Sequence, residues 1–372
     1  MNSKGRKIAI LIIVALIVVA SISIFLFTLK EKLGQTTDSE QDDFSKEDQS
    51  SSEDVIDLHF SGWVPYWDSK NSIDEVVRYE ENLDEVILFA AIFTAPNDKI
   101  LLLDELDDTK KQIDEKRLDN HKIFLSFTND YRILDGTYIS KDMELLKRLL
   151  QTESSRKDHI EELIHLAHSC DVDGIEIDYE QMHKDKSIWP MYIAFIEELY
   201  PKCVEENLEL RVVLNWKDVE DVVFPEGPDY VIMCYNLYGT HSKNEGGPKA
   251  DIAFLSKVYE LNKKLPGSVQ MALANGGFSW SSEGVVKAVT QDMAVDLQKQ
   301  FDVSPKRDDG SGALYFEYID DGIEYEVWYA DSKTLRTWID LGIRYGYTSF
   351  GIWRMGGDST DDMTTIFEGK GF

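Results

Sequence analysis

Asp173-Gly174-Ile175-Glu176-Ile177-Asp178-Tyr179-Glu180 is the stretch on which the reading of this chain turns. Acidic residues alternate there with large apolar ones at a period of two, the period of a β-strand, so the two kinds of side chain are sorted onto opposite faces. Ile175, Ile177 and Tyr179 make an apolar face suited to packing against helices; Glu176, Asp178 and Glu180 make the other. Like charges at this spacing oppose one another's ionisation, so at least one of the three is expected to hold its proton near neutral pH and to be able to donate it. Glu180, at the end of the run, is the natural donor.

Outward from that strand, apolar segments of strand length alternate with segments of helical period. The strand candidates are 59–65, 85–93, 122–127, 174–179, 210–214, 230–235, 268–274 and 348–353, and amphipathic stretches such as 187–207 and 331–345 lie between them. Eight strands with intervening helices predict an α/β fold, a single (β/α)8 TIM barrel over residues 58–372. In it, 174–179 is the fourth strand. A parallel strand covered on both sides has no solvated face, so the three carboxylates are expected in the lumen, climbing toward the C-terminal mouth. The gap before the last strand is too long for one helix. Two alternating segments around Asp320-Asp321-Gly322 read as a hairpin, which predicts a small α+β insertion after strand 7, at about 279–330.

Composition narrows the partners. A net charge of −30, with no basic stripe past the first few residues, excludes nucleic acid and suits a neutral or sugar ligand. Cys170, Cys203 and Cys234 stand in no metal or redox spacing and read as buried, unpaired thiols. His165 and His168 find no third ligand, and Asp358, Asp361 and Asp362 read as a solvated loop, so neither a metal nor a cofactor is expected. The oligomeric state is left open.

Residues 8–29 carry no charge, long enough at about 1.5 Å per residue to cross a hydrocarbon core of about 30 Å. Lys4, Arg6 and Lys7 precede them, which places the N-terminus in the cytoplasm and the rest outside the cell. Residues 1–30 are thus expected to be a cytoplasmic tip and transmembrane signal-anchor, with secretion after signal cleavage as the alternative. Residues 31–57, rich in Asp, Glu, Ser and Gln, are expected to form a flexible stalk.

Asp173–Glu180 resembles the DxxDxDxE signature of glycoside hydrolase family 18, which lies on the fourth strand of a (β/α)8 barrel. Met233-Cys234-Tyr235-Asn236 resembles the family's sixth-strand M-x-Y-D/N motif, and Phe350-Gly351-Ile352-Trp353 its eighth-strand segment ending in tryptophan. Gly62-Trp63-Val64-Pro65-Tyr66-Trp67 and Tyr325-Glu326-Val327-Trp328-Tyr329 look like the chitinase-like bacterial branch with spore-germination and cell-wall-lytic members. The resemblance implies an enzyme that cleaves polysaccharides containing N-acetylglucosamine. It makes Glu180 the acid that later acts as base, Asp178 the residue that orients the acetamido N–H, Glu176 a third catalytic carboxylate, and Tyr235 the contact to the acetamido oxygen. Trp353 becomes the apolar floor under the sugar, with Asn236, Met233, Tyr66 and Asp173 in substrate binding.

Residue spacing fits that chemistry. Asp178 and Glu180 rise about 6.6 Å apart on one strand, so Asp178 cannot attack the sugar from the far side, whereas a 2-acetamido oxygen can. Three features depart from the family pattern. Glu176 stands for the signature's middle aspartate, the third strand Leu125-Ser126-Phe127-Thr128 lacks the usual glycine pair, and Ala272-Leu273-Ala274-Asn275-Gly276 lacks the usual tyrosine. A non-catalytic sugar-binding barrel is the rival reading. Retention of both Glu180 and Asp178 weighs against it.

Overall fold

The structure is a computed structural model that describes residues 56–369, apart from 117, 119, 221, 360 and 361. The expected membrane helix and most of the stalk lie outside the described residues. Eight parallel strands close into a barrel: β1 (His59–Pro65), β2 (Glu85–Thr94), β4 (Lys122–Arg132), β6 (Gly174–Asp178), β7 (Glu209–Asn215), β8 (Asp229–Met233), β9 (Val269–Ala274) and β15 (Ser349–Trp353). Each pairs in register with the next, and β15 returns to β1 through His59 opposite Ser349. The eight strand segments expected from periodicity are these eight, and the signature strand is the fourth.

Side chains sort by the pleat. In β2, Val86 and Leu88 join the large core between strands and helices, while Ile87 and Phe89 join a smaller lumenal cluster with Trp63, Phe124, Val213, Val231, Met233 and Ala272. Filling the lumen requires two glycines. A Cβ on Gly174 would strike the Phe124 ring, and one on Gly351 would strike the Trp63 indole. Outside the barrel, Ile175, Ile177 and Tyr179 are buried against helices, and the Tyr179 hydroxyl lies 2.7 Å from His159 Nε2. The three cysteines are buried and unpaired.

Strand β4 runs five residues past the expected end at Phe127. Its extension pairs with the end of β2 across two register shifts, and at Tyr131 and Arg132 it pairs with the short antiparallel β5 (Tyr138–Ile139). The short β3 (Lys99–Leu102) flanks β2. Together they raise a lip on one side of the mouth. After β9 the chain passes at once into a second sheet, with β10 (Gly276–Ser281), β11 (Val286–Val289), β12 (Lys306–Arg307), β13 (Leu314–Asp320) and β14 (Ile323–Ala330) in antiparallel order 11-10-14-13-12. Asp321 and Gly322, at φ 49° and 82°, make the two-residue turn joining β13 to β14. Val289, Phe316, Val327 and Tyr329 pack this sheet against Ala294 of the helix Gln291–Phe301.

Candidate active site

The lumenal carboxylates fall into two layers. Glu176, the lower, is fully buried, and both its oxygens are taken: Oε1 by the Trp63 indole N–H at 2.8 Å, Oε2 by Arg211 Nε at 3.1 Å. Arg211 of β7, itself buried, also holds Glu85 and donates to Gln270 Oε1 at 2.9 Å, while Ser61 donates to the same oxygen. Although burial alone would raise the Glu85 carboxyl, Arg211 and His59 hold it below the usual range. Glu176 therefore belongs to a closed ionic floor and does not reach the cleft, which corrects its expected catalytic role. Asp173 is displaced further. It sits exposed at the opposite end of the barrel, where its Oδ2 accepts from the Ile123 N–H at 2.8 Å, so it is an anchor between β6 and β4 and not a sugar contact.

The upper layer opens into a cleft of about 280 Å³ at the C-terminal mouth, lined by Asp178, Glu180, Tyr235, Asn236, Met233, Tyr66 and Trp353. Seven of the nine expected site residues thus converge. Glu180 lies just beyond the end of β6, its backbone clamped by Asn129, whose side chain accepts from the Glu180 N–H at 2.9 Å and donates to its carbonyl at 3.3 Å. Asp178 is almost buried. Burial, opposed by Lys141 and reinforced by Glu180 and Glu176, raises its carboxyl to about 7. Among the described residues its Oδ1 has no hydrogen-bond partner. Tyr235 is pushed well above the ordinary phenol range by burial and by the same three carboxylates, so its hydroxyl remains a donor.

The cation between Asp178 and Glu180 was not visible in the sequence. Lys141 Nζ lies 2.7 Å from Glu180 Oε1, 3.4 Å from Asp178 Oδ2 and 2.6 Å from Thr128 Oγ1. Burial works against its charge, but Asp178, Glu180 and Asp130 outweigh burial and lift its pKa above the ordinary lysine range. Lys141 and Asn129 both belong to the lip, beyond the point where the third strand was expected to end. The turn at Asp135-Gly136 between two strand-like pieces was the signal for it.

Opposite these charges the wall is aromatic. Trp353 packs edge-on against Trp63, Trp67 and Phe89, with ring centroids 6.2, 6.4 and 5.2 Å away. Trp67 and Tyr138 stand half exposed at the rim of the cleft. Past Trp353 the cleft continues into a second cavity of about 290 Å³ bounded by Lys249, Asn275, Phe278 and Asp358. Asp358, expected in a solvated loop, is instead buried and held by the Asn275 amide. Among the described residues no group of three or more His, Cys, Asp or Glu is placed to hold a metal ion.

A carboxyl group at the cleft beside a second, buried one, facing an aromatic wall, is an arrangement suited to proton exchange with a bound oxygen and to accepting an amide N–H. No family model matches the chain. It is 21% identical over 244 residues to the uncharacterized glycosylase YvbX of Bacillus subtilis (strain 168), covering 61% of this chain and 70% of that one. It is 23% identical over 235 residues to the cortical fragment-lytic enzyme of Bacillus anthracis, covering 57% of this chain and 53% of the relative, so it spans about half that protein's length. The crystal structure of a chitinase from Chromobacterium violaceum ATCC 12472 superposes with a TM-score of 0.70 at 15% identity, over 84% of this chain and 98% of that one. The likeness to the solved chitinase, at 15% identity, is one of fold. In this barrel the strand Gly174–Asp178 is the fourth, and its lower lumenal carboxylate, Glu176, is ion-paired with Arg211.

Proposed function

We propose that this protein is a glycoside hydrolase that cleaves β-1,4 bonds next to N-acetylglucosamine, with the substrate's own acetamido group as nucleophile. One observation carries the reading. The acidic residues lining the catalytic cleft, Asp130, Asp178 and Glu180, come from the neighbouring strands β4 and β6 or their ends, and the facing wall of Trp63, Tyr66, Met233, Tyr235, Ala272 and Trp353 supplies no carboxylate. Cleavage with a protein nucleophile needs a carboxyl on the far face of the sugar ring, so here the nucleophile has to arrive with the substrate. Glu180 gives its proton to the leaving oxygen as the acetamido oxygen closes on C1 and the C1–O bond breaks. Asp178 accepts the acetamido N–H and balances the oxazolinium charge, Tyr235 donates to the acetamido oxygen, and Trp353 supports the distorted ring. Water then opens the oxazolinium with Glu180 as base, which retains the anomeric configuration.

Peptidoglycan or a related envelope glycan is the substrate we favour over chitin-like oligomers. The uncharged run at residues 8–29 supports a membrane-anchored enzyme whose N-terminus is cytoplasmic and whose barrel works on the cell's own surface. Relatives named as cortical fragment-lytic enzymes favour the same class of glycan. The test is hydrolysis by the full chain and by Glu180→Gln on purified peptidoglycan and on N-acetylglucosamine oligomers. Turnover that retains configuration and falls about 10²–10⁴-fold in Glu180→Gln is expected. Saturable sugar binding without turnover in either protein would make the barrel a lectin.

A further inference from the structure

The lysine between the two site carboxylates stands outside the family signature. Lys141 is delivered by the lip, where its backbone adopts φ 55° and its N–H donates to Asp130 Oδ1 at 2.9 Å. The side chain is nearly enclosed, at 13% exposure, and Nζ spends its donors on Thr128, Asp178 and Glu180. A long, flexible ammonium loses rotamer freedom when fixed this way, and exposed lysines seldom accept that loss without a strong partner. Meanwhile the carboxylate that the signature would place beneath Asp178 is unavailable, because Arg211 and Trp63 occupy both oxygens of Glu176.

We propose that Lys141 is a positioning residue for the reaction, its ammonium setting the charge of Asp178 while holding the Glu180 carboxylate in line with it. Two cations then serve three lumenal carboxylates, Arg211 below and Lys141 above. The groups facing Asp178 are Lys141 and Asp130 from the lip, Glu176 and Glu180 from its own strand, Tyr192 from the helix Trp189–Glu205, and Tyr235 after β8. Lys141 is the one cation in that set. Its removal leaves burial and like charge unopposed, so Asp178 ionises at higher pH.

This inference rests on the proposed hydrolysis for its kinetic arm and is independent of it for its stability arm. In the kinetic arm, Lys141→Met is expected to lower kcat about 10- to 100-fold with KM changed less than about threefold. The acid limb of kcat/KM should move up by at least about one pH unit, and Lys141→Arg should restore both in part. An acid limb that stays in place in Lys141→Met would overturn the proposal, as would loss of activity that Lys141→Arg does not recover. In the stability arm, denaturant unfolding of the full chain at pH 8 is compared for Lys141→Met, Asp178→Asn and the double variant. Lys141→Met should raise the unfolding constant about tenfold or more alone and less than about threefold beside Asp178→Asn. Equal effects in both backgrounds would show that Lys141 acts on stability through Glu180 or packing and not through Asp178, and would overturn the proposal. Absence of turnover in the unsubstituted chain would sink the hydrolase reading, while the unfolding cycle would still decide whether the ion pair controls Asp178.

Discussion

Glu176 and Asp178 are two residues apart on one strand, and both point into the lumen, yet their surroundings are opposite in kind. Around Glu176 each acidic oxygen has a partner: Arg211 spans Glu176 and Glu85, Trp63 caps the first, and His59 lies 3.1 Å from the second. Around Asp178 one lysine faces several carboxylates, one oxygen has no hydrogen-bond partner among the described residues, and the space above is open. A closed, paired layer stabilises the barrel but leaves nothing for a ligand to satisfy. An incompletely paired layer is less stable and can be completed by an amide N–H from a sugar.

If that contrast is right, cutting the lower layer should damage the fold and cutting the upper layer should damage turnover. Arg211→Met is expected to have the largest effect, since it strands Glu176 without a cation and leaves Glu85 with His59 alone beside it, at about 3–5 kcal/mol of stability by urea unfolding. A loss under about 1 kcal/mol would mean that the floor is not held by charge. Asp178→Asn comes next, with kcat reduced about 10²-fold in a protein that remains folded.

The pH dependence of stability separates the layers further. A carboxyl raised in the folded state, as Asp178 is to about 7, contributes stability below the ordinary carboxylate range near pH 4 that is lost as pH rises through about 7. The unsubstituted chain should therefore lose that increment between pH 4 and 7, and Asp178→Asn should flatten the slope. Glu85, held low, has the reverse sign: its increment is present above the ordinary carboxylate range and fades as pH falls below it. An unchanged slope in Asp178→Asn would place the titrating group elsewhere.

Smaller effects belong to the cleft walls. Trp353→Ala should raise KM for N-acetylglucosamine oligomers about tenfold, equivalent to about 1.4 kcal/mol of lost contact. Tyr235→Phe removes one hydroxyl donor and should cost about two- to tenfold in kcat/KM, the range of a single neutral hydrogen bond of about 0.5–1.5 kcal/mol. A Tyr235→Phe effect beyond about 10²-fold would point to a role in proton transfer in place of contact.

Much of this was legible in the linear chain because strand periodicity is local. A period of two over Asp173–Glu180 specifies which side chains share the lumen, and eight such segments with helical spacers leave few alternatives to a closed parallel barrel. The same logic located Glu180, Asp178, Tyr235 and Trp353, whose places at strand ends bring them to one mouth. It failed for Asp173 and Glu176, because periodicity says which face a carboxylate is on and not at which height it stands or what it meets there. Those partners are Arg211, Trp63 and Lys141, 35, 113 and 37 residues away along the chain from the carboxylates they bind. The sequence by itself determined the barrel, its strands and the three acids that the signature strand brings to the lumen. Only the tertiary structure decided which acid is neutralised and which is left for chemistry, since ion pairing depends on distances of a few ångströms across the lumen that no local pattern encodes.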